Sequence, residues 1–249
     1  NNLTNYGKLS LFNFDNFLIP NVFMPPLYAF YLYFFKFFNF SNDIYILVVL
    51  FSQIILSSFS VVIFYNINKF FFSNKICILG TLIFSLFPLH IYACSQISSI
   101  ILQSFLMITF FYFFFKTIKK NNLYNICFLS LTSGLLILLR GEFIALFLLS
   151  ILYLALFIKI NLKSILIIIL LTFVVISPYL MRNIIVLDTI TITKSIGYNL
   201  WKGNNSETDV EGKNYIFDSI LDLNNINLRE QINKVPKDKY YEINVDKVF

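Results

Sequence analysis

The chain has 249 residues, of which 58% are hydrophobic, 19% aromatic and only 13% charged, with a mean hydropathy of +0.75. Such a composition lies outside the range of water-soluble domains and marks an all-α polytopic integral membrane protein. The net charge of +6 excludes no membrane role and indicates no nucleic-acid partner, because the lysines are dispersed between apolar segments and form no basic stripe.

Residues 1–25 mix polar and aromatic side chains too finely to span a bilayer and read as a loop. The segment Met24-Pro25-Pro26-Leu27-Tyr28 follows, and a double proline suits the first turn of a helix, where missing N–H groups cost least. Residues 27–40 would give about 20 Å of helix, short of the roughly 30 Å hydrocarbon core. With Lys36 inside it, this stretch is expected to be an interfacial or re-entrant helix, so that residues 1–43 form one exterior region. Predicted spans then cover 44–65, 76–92 broken by Pro88, 97–115, 123–139, 143–158 and 165–181. That makes about six crossings, gathered into a transmembrane bundle over residues 44–181.

Beyond Arg182 the composition becomes that of a water-soluble region, 182–249. Residues 188–193 alternate and are β-branched, which predicts a short strand; Gly203-Asn204-Asn205-Ser206 predicts a turn, and 215–228 carries apolar residues at helical spacing. A small α/β-like tail is the expectation. The first residue is not methionine and the last lies in a polar segment, so the chain reads as an internal fragment. Cys77, Cys94 and Cys127 fall in or beside apolar runs without metal-ligand spacing, so no metal, cofactor or disulfide framework is expected.

Alternate connections differ in charge. One set holds Lys69, Lys75, Lys116, Lys119, Lys120, Lys159 and Lys163 with no acid, while the other holds Arg140 beside Glu142. Short basic loops face the cytoplasm, which places the amino-terminal loop, the turns at Ser95-Gln96 and Arg140-Glu142, and the region after Arg182 outside. A Lys-, Asn- and Ile-heavy composition points to an AT-rich bacterial genome, hence to an inner membrane with a periplasmic exterior face. The sequons at Asn2 and Asn204 then carry no meaning.

The exterior motifs resemble those of the C-type membrane glycosyltransferase superfamily, which includes lipid A aminoarabinose transferase and protein O-mannosyltransferase. Pro25-Pro26-Leu27-Tyr28 is similar to its Pro-Pro-Leu-Tyr-Pro, and Phe87-Pro88-Leu89 with Ser95-Gln96-Ile97 to its next exterior connection. Leu139-Arg140-Gly141-Glu142 resembles Thr-Arg-Pro-Glu, and Pro178-Tyr179 through Arg182-Asn183 resembles Pro-Trp-x-x-Arg-Asn. Ser195-Ile196-Gly197-Tyr198-Asn199-Leu200-Trp201-Lys202-Gly203-Asn204-Asn205 resembles Ser-x-Gly-x-Asn-Leu-x-x-Gly-Asn-Asn. The resemblance implies transfer of a sugar from a polyprenyl-phosphate carrier to a lipid, glycan or protein acceptor at the exterior face. It carries over Tyr28, Gln96, Arg140, Glu142, Arg182, Asn183, Asn199 and Asn204 as substrate-binding candidates. The family's catalytic aspartate falls upstream of Asn1, so no catalytic residue is expected here and this stretch alone should be inactive. Asp15 reads as loop, and Ile100 stands where relatives place an acid, with Gln103 a turn later.

Each candidate also has a plain structural reading. Arg182 is a snorkelling anchor or a phosphate ligand, Arg140 and Glu142 pair with each other, and His90 is an interfacial polar residue. Gln53 reads as a helix–helix contact. The rival functional classes are a transporter or channel and a non-catalytic membrane assembly subunit. Against the first, the spans after Lys36 carry almost no ionisable residue at membrane depth.

Overall fold

The structure is a computed structural model that describes residues 24–193 and, ahead of them, Leu3, Leu9, Asn13, Phe14, Phe17, Leu18 and Val22. It divides into two compact units, residues 26–178 and residues 1–25 with 179–249. The elements are a two-residue hairpin, β1 (Asn13–Phe14) antiparallel to β2 (Phe17–Leu18), and then helices α1 (Leu27–Lys36), α2 (Asn42–Asn68), α3 (Asn74–Ser85), α4 (Pro88–Cys94), α5 (Ile100–Lys119), α6 (Leu123–Leu139), α7 (Phe143–Leu156) and α8 (Leu162–Leu187).

Among the described residues, α2, α5 and α8 are each long and apolar enough to cross a membrane. The broken pair α3 and α4, bent by 52°, makes a fourth candidate. Pro88 causes that break: it stands at the first position of α4, where its missing N–H is tolerated, and holds Phe87 in an extended conformation. The shorter α6 and α7, of 17 and 14 residues, are apolar as well.

Unit 26–178 is built around α6. Leu136, Ile137, Leu138 and Leu139 are consecutive and all buried, so this end of α6 is enclosed on every side. Phe113 of α5 stacks on Phe128 of α6 at 4.8 Å, and Phe110 is fully buried beside it. By contrast α2 exposes Leu47, Phe51, Phe59 and Val62 on its outer side, as a lipid-facing helix does. Helices α6 and α8 approach closely at one point. Ser130 and Gly134, one turn apart, let α8 approach until the Thr172 hydroxyl donates to the Ser130 carbonyl at 3.3 Å. This is a small-xxx-small seam.

The lysine-bearing connections meet at one end of this unit. Lys119 Nζ lies 4.3 Å from the Phe70 ring, Lys69 Nζ lies 4.3 Å from Tyr65, and Asn121 donates to the Ser164 hydroxyl at 2.9 Å. Asparagines finish the helices there. Asn122 accepts from the Asn125 amide at the start of α6, and Asn161 accepts from the Ser164 amide in the first turn of α8. The Asn125 side chain donates back to the carbonyls of Lys116 and Lys120, satisfying the last turn of α5. Because α5 and α6 are antiparallel neighbours, the turns at Ser95–Gln96 and Arg140–Glu142 share the opposite end. Cysteines at Ser95 and Glu142 should therefore react with an impermeant maleimide from one face of sealed vesicles, and cysteines at Lys119 and Lys163 from the other. Labelling of positions 119 and 142 from the same face would break this arrangement.

Two expectations are corrected at α8. The span ending at 181 continues to Leu187, so Arg182 and Asn183 lie inside a helix and not at its border. Pro178 does not stop the helix because the Ser177 hydroxyl donates to the Val174 carbonyl at 3.0 Å, the acceptor that a proline N–H would have served. Ile184, Ile185, Val186 and Leu187 then carry the apolar run onward. The expected strand over 188–193 is also absent. Asp188 adopts a left-handed conformation, φ 49°, and its amide bonds the Ile184 carbonyl at 3.0 Å, a helix stop that aspartate tolerates better than most residues. The expected turn at 203–206 and the helical pattern at 215–228 lie outside the described residues.

Helix α1 is also shorter than the expected 27–40. Asn39, at φ 52°, turns the chain after Lys36.

Candidate functional site

Helix α1 runs back along the first part of α2. The Tyr31 hydroxyl is hydrogen-bonded to Ser52, Tyr45 donates to the Leu32 carbonyl at 3.3 Å, and Lys36 donates to Asn42 at 3.4 Å. The α4–α5 turn reaches only as high as Gln53, whose Nε2 donates to the Gln96 carbonyl at 2.9 Å. Gln53 stands eleven residues past Asn42, so about 16 Å of α2 extends beyond that turn. One helical turn further along the same face, Ser57 is hydrogen-bonded to His90 Nε2 at 2.9 Å. A polar layer thus crosses helices that are otherwise hydrocarbon.

Three buried side-chain oxygens in this unit have no hydrogen-bond partner: Tyr28 Oη, Gln53 Oε1 and Ser98 Oγ. Burial, and after it the neighbouring Tyr31 and Tyr45, raise the Tyr28 phenol above its ordinary value, so it keeps its proton and remains a donor. Deleting an oxygen that binds nothing should cost the fold nothing. Tyr28→Phe is expected to leave the melting temperature in detergent unchanged or to raise it. A drop of several degrees would reveal a partner for this hydroxyl.

The sequence candidates distribute as follows. Tyr28, Gln96, Arg140 and Glu142 belong to unit 26–178. Gln96 contributes through its backbone carbonyl, while its side chain is exposed and meets only Ser95 at 3.4 Å. Arg140 and Glu142 form an ion pair at 3.1 Å, with side chains 46% and 66% exposed. Such a pair adds little stability, so both groups stay available to an incoming ligand. Arg182 and Asn183 belong to the other unit. Arg182 Nη1 donates to Asn183 Oδ1 at 2.9 Å and Nη2 to the Leu9 carbonyl at 3.3 Å, while Asn183 donates to the Thr191 carbonyl at 2.7 Å. Asn199 and Asn204 lie outside the described residues, as do Asp15 and Trp201.

Sequence reasoning passed over Ser98 and gave Gln53 only a packing role. The available signal was a glutamine inside an apolar run of α2, one turn from Ser57, which puts two polar groups on one face of a lipid-exposed helix. The chain matches no protein-family model, and no curated protein or solved structure is significantly similar to it.

Proposed function

We propose that the protein is a polytopic membrane glycosyltransferase that takes a sugar from a polyprenyl-phosphate carrier and passes it to a lipid, glycan or protein acceptor. The observation that carries this reading is the segregation of polar chemistry within unit 26–178. Unpartnered Tyr28, Gln53 and Ser98 oxygens and the exposed Arg140–Glu142 pair occupy one end region, and the lysines occupy the other. Among the motifs that resemble the C-type superfamily, Ser95-Gln96-Ile97 and Leu139-Arg140-Gly141-Glu142 fall in that same end region and Pro178 to Asn183 lies in α8, while Ser195 to Asn205 lies outside the described residues.

In this reading α3 and α4 form one bent span, α6 and α7 are short crossings, and the chain crosses the membrane six times. The lysine end is cytoplasmic and the site faces the periplasm of a bacterial inner membrane. A carrier phosphate lies in the headgroup layer, where an arginine that reaches that layer pairs with it without moving charge across the hydrocarbon. Departure of polyprenyl phosphate develops negative charge that a fixed guanidinium stabilises, and the acceptor needs a carboxylate to take its proton. Arg140 and Arg182 are the candidates for the first task. None of the candidate residues is assigned as the base.

The test is binding of radiolabelled polyprenyl-phosphate hexose to the intact protein in lipid nanodiscs, competed with unlabelled carrier. Saturable, competable binding supports the transferase. Absence of binding, with solute or ion flux in proteoliposomes, would replace it with a transporter.

A further inference from the structure

We propose that the lysine end of unit 26–178 is a docking surface for the headgroups of anionic phospholipids, centred on Lys69, Lys116 and Lys119. The assignment is independent of the transferase reading and needs only that the unit sits in a bilayer. Aromatic rings from two elements form its floor. Phe70, just past α2, lies 6.2 Å from Tyr112 and 6.1 Å from Phe115 of α5, and Phe71 meets Phe115 edge-on at 4.9 Å. The ammonium groups gather on this floor: Lys119 Nζ stands 4.3 Å from the Phe70 ring, Lys116 Nζ 4.6 Å from Tyr112, and Lys69 Nζ, from the residue before Phe70, 4.3 Å from Tyr65. Lys120 and Lys163 flank a second contact, since each adjoins one partner of the 2.9 Å hydrogen bond between Asn121 and Ser164.

Nothing in the unit neutralises this charge. Its only carboxylates are Asp43 and Glu142. Asp43 stands in the first turn of the 27-residue α2, which puts about 40 Å between it and Lys69. Glu142 is at the Arg140 end and already paired at 3.1 Å. The carbonyl end of α5 would repel an anion, but the Lys116 and Lys120 carbonyls are both taken up by the Asn125 side chain.

The surroundings select a lipid over other anions. Lys69, Lys119 and Lys120 are exposed and Lys116 is half-buried, so a headgroup lies over them without needing a cavity. Lysine stems that run along ring faces hold their charges where hydrocarbon gives way to water. Phe71 and Phe72, 58% and 54% exposed, offer apolar surface beside those charges. A phospholipid meets both halves at once, phosphate on ammonium and acyl chain on ring, whereas a soluble anion meets only the first.

The experiment titrates phosphatidylglycerol, or phosphatidylcholine with the same acyl chains, onto the intact protein in a neutral detergent and reads the rise in melting temperature. A lysine beside an anionic headgroup contributes about fivefold in affinity, so phosphatidylglycerol should act at concentrations at least about thirtyfold lower than phosphatidylcholine. Replacing the three central lysines together, Lys69→Gln, Lys116→Gln and Lys119→Gln, should bring the two lipids within about fivefold of each other. In the wild type, salt at about 1 M should remove most of the preference, because exposed charges are screened. This arm decides the matter if the triple variant does not fold. Equal action of the two lipids on the wild type, or a preference that survives the triple substitution or the salt, overturns the surface. Glycerophosphoglycerol, the same headgroup without chains, should be inert at the effective lipid concentration. Stabilisation by it would overturn the lipid in favour of a soluble anion.

Discussion

Gly134→Val should lower the stability of the protein in detergent by at least about 2 kcal/mol, the cost of overpacking a helix seam. A Cβ at position 134 would stand 2.7 Å from both Cβ and Cγ1 of Val175 and 3.3 Å from the Thr172 carbonyl. Carbon atoms do not approach that closely, so either α8 moves away or α6 does. Moving apart would also stretch the 3.3 Å bond from Thr172 to the Ser130 carbonyl. Val175→Gly removes both clashing carbons, and the double variant should recover most of the loss despite the extra backbone freedom of glycine. A Gly134→Val protein that melts like wild type would mean that the two helices do not meet at this seam.

The second large effect is expected at the neighbours Arg182 and Asn183. Asn183 is fully buried, accepts from Arg182 and donates to the Thr191 carbonyl. Asn183→Leu should cost about 2–3 kcal/mol of stability, because the carbonyl it served and the guanidinium it oriented lose their partner together. Arg182→Lys tests something different. A guanidinium bonds Asn183 with one nitrogen and the Leu9 carbonyl with the other, whereas an ammonium is a point charge that cannot span both. If the same fork holds the carrier phosphate, Arg182→Lys should reduce transferase activity at least about tenfold, equivalent to roughly 1.4 kcal/mol. Activity within about twofold of wild type would remove Arg182 from the proposed site and leave Arg140 as the phosphate ligand.

How much of this was legible in the sequence depends on what kind of signal marks each feature. Helices α2, α5, α6 and α7 begin and end close to the expected limits because lysine, asparagine and glycine punctuate the apolar runs, and those residues act locally. The bend at Pro88 was visible for the same reason. The end of α8 was not, since Pro178 reads as a boundary until the Ser177 hydroxyl is seen to satisfy the Val174 carbonyl. The strand expected at 188–193 failed because β-branched alternation is a weak preference, and the left-handed turn at Asp188 is fixed by the helix before it. The site was legible only as residue types. That Gln96 acts through its carbonyl, and that Gln53 is its partner across 43 positions of chain, are consequences of packing that no local pattern encodes. The seam at Ser130 and Gly134 could have been read from its spacing alone.

The enclosure of α6 bears on how the protein is made. Asn125, Ser130, Thr132 and Ser133 are all buried in this helix, while Leu123, Tyr124, Phe128 and Leu131 leave an exposed stripe along its first turns. Helices α5 and α6 form an antiparallel hairpin joined by a short turn. The Asn125 side chain locks the two arms together by bonding both carbonyls at the end of the first. The hairpin of α5 and α6 is therefore expected to insert as a unit, with α8 packing on its seam afterwards.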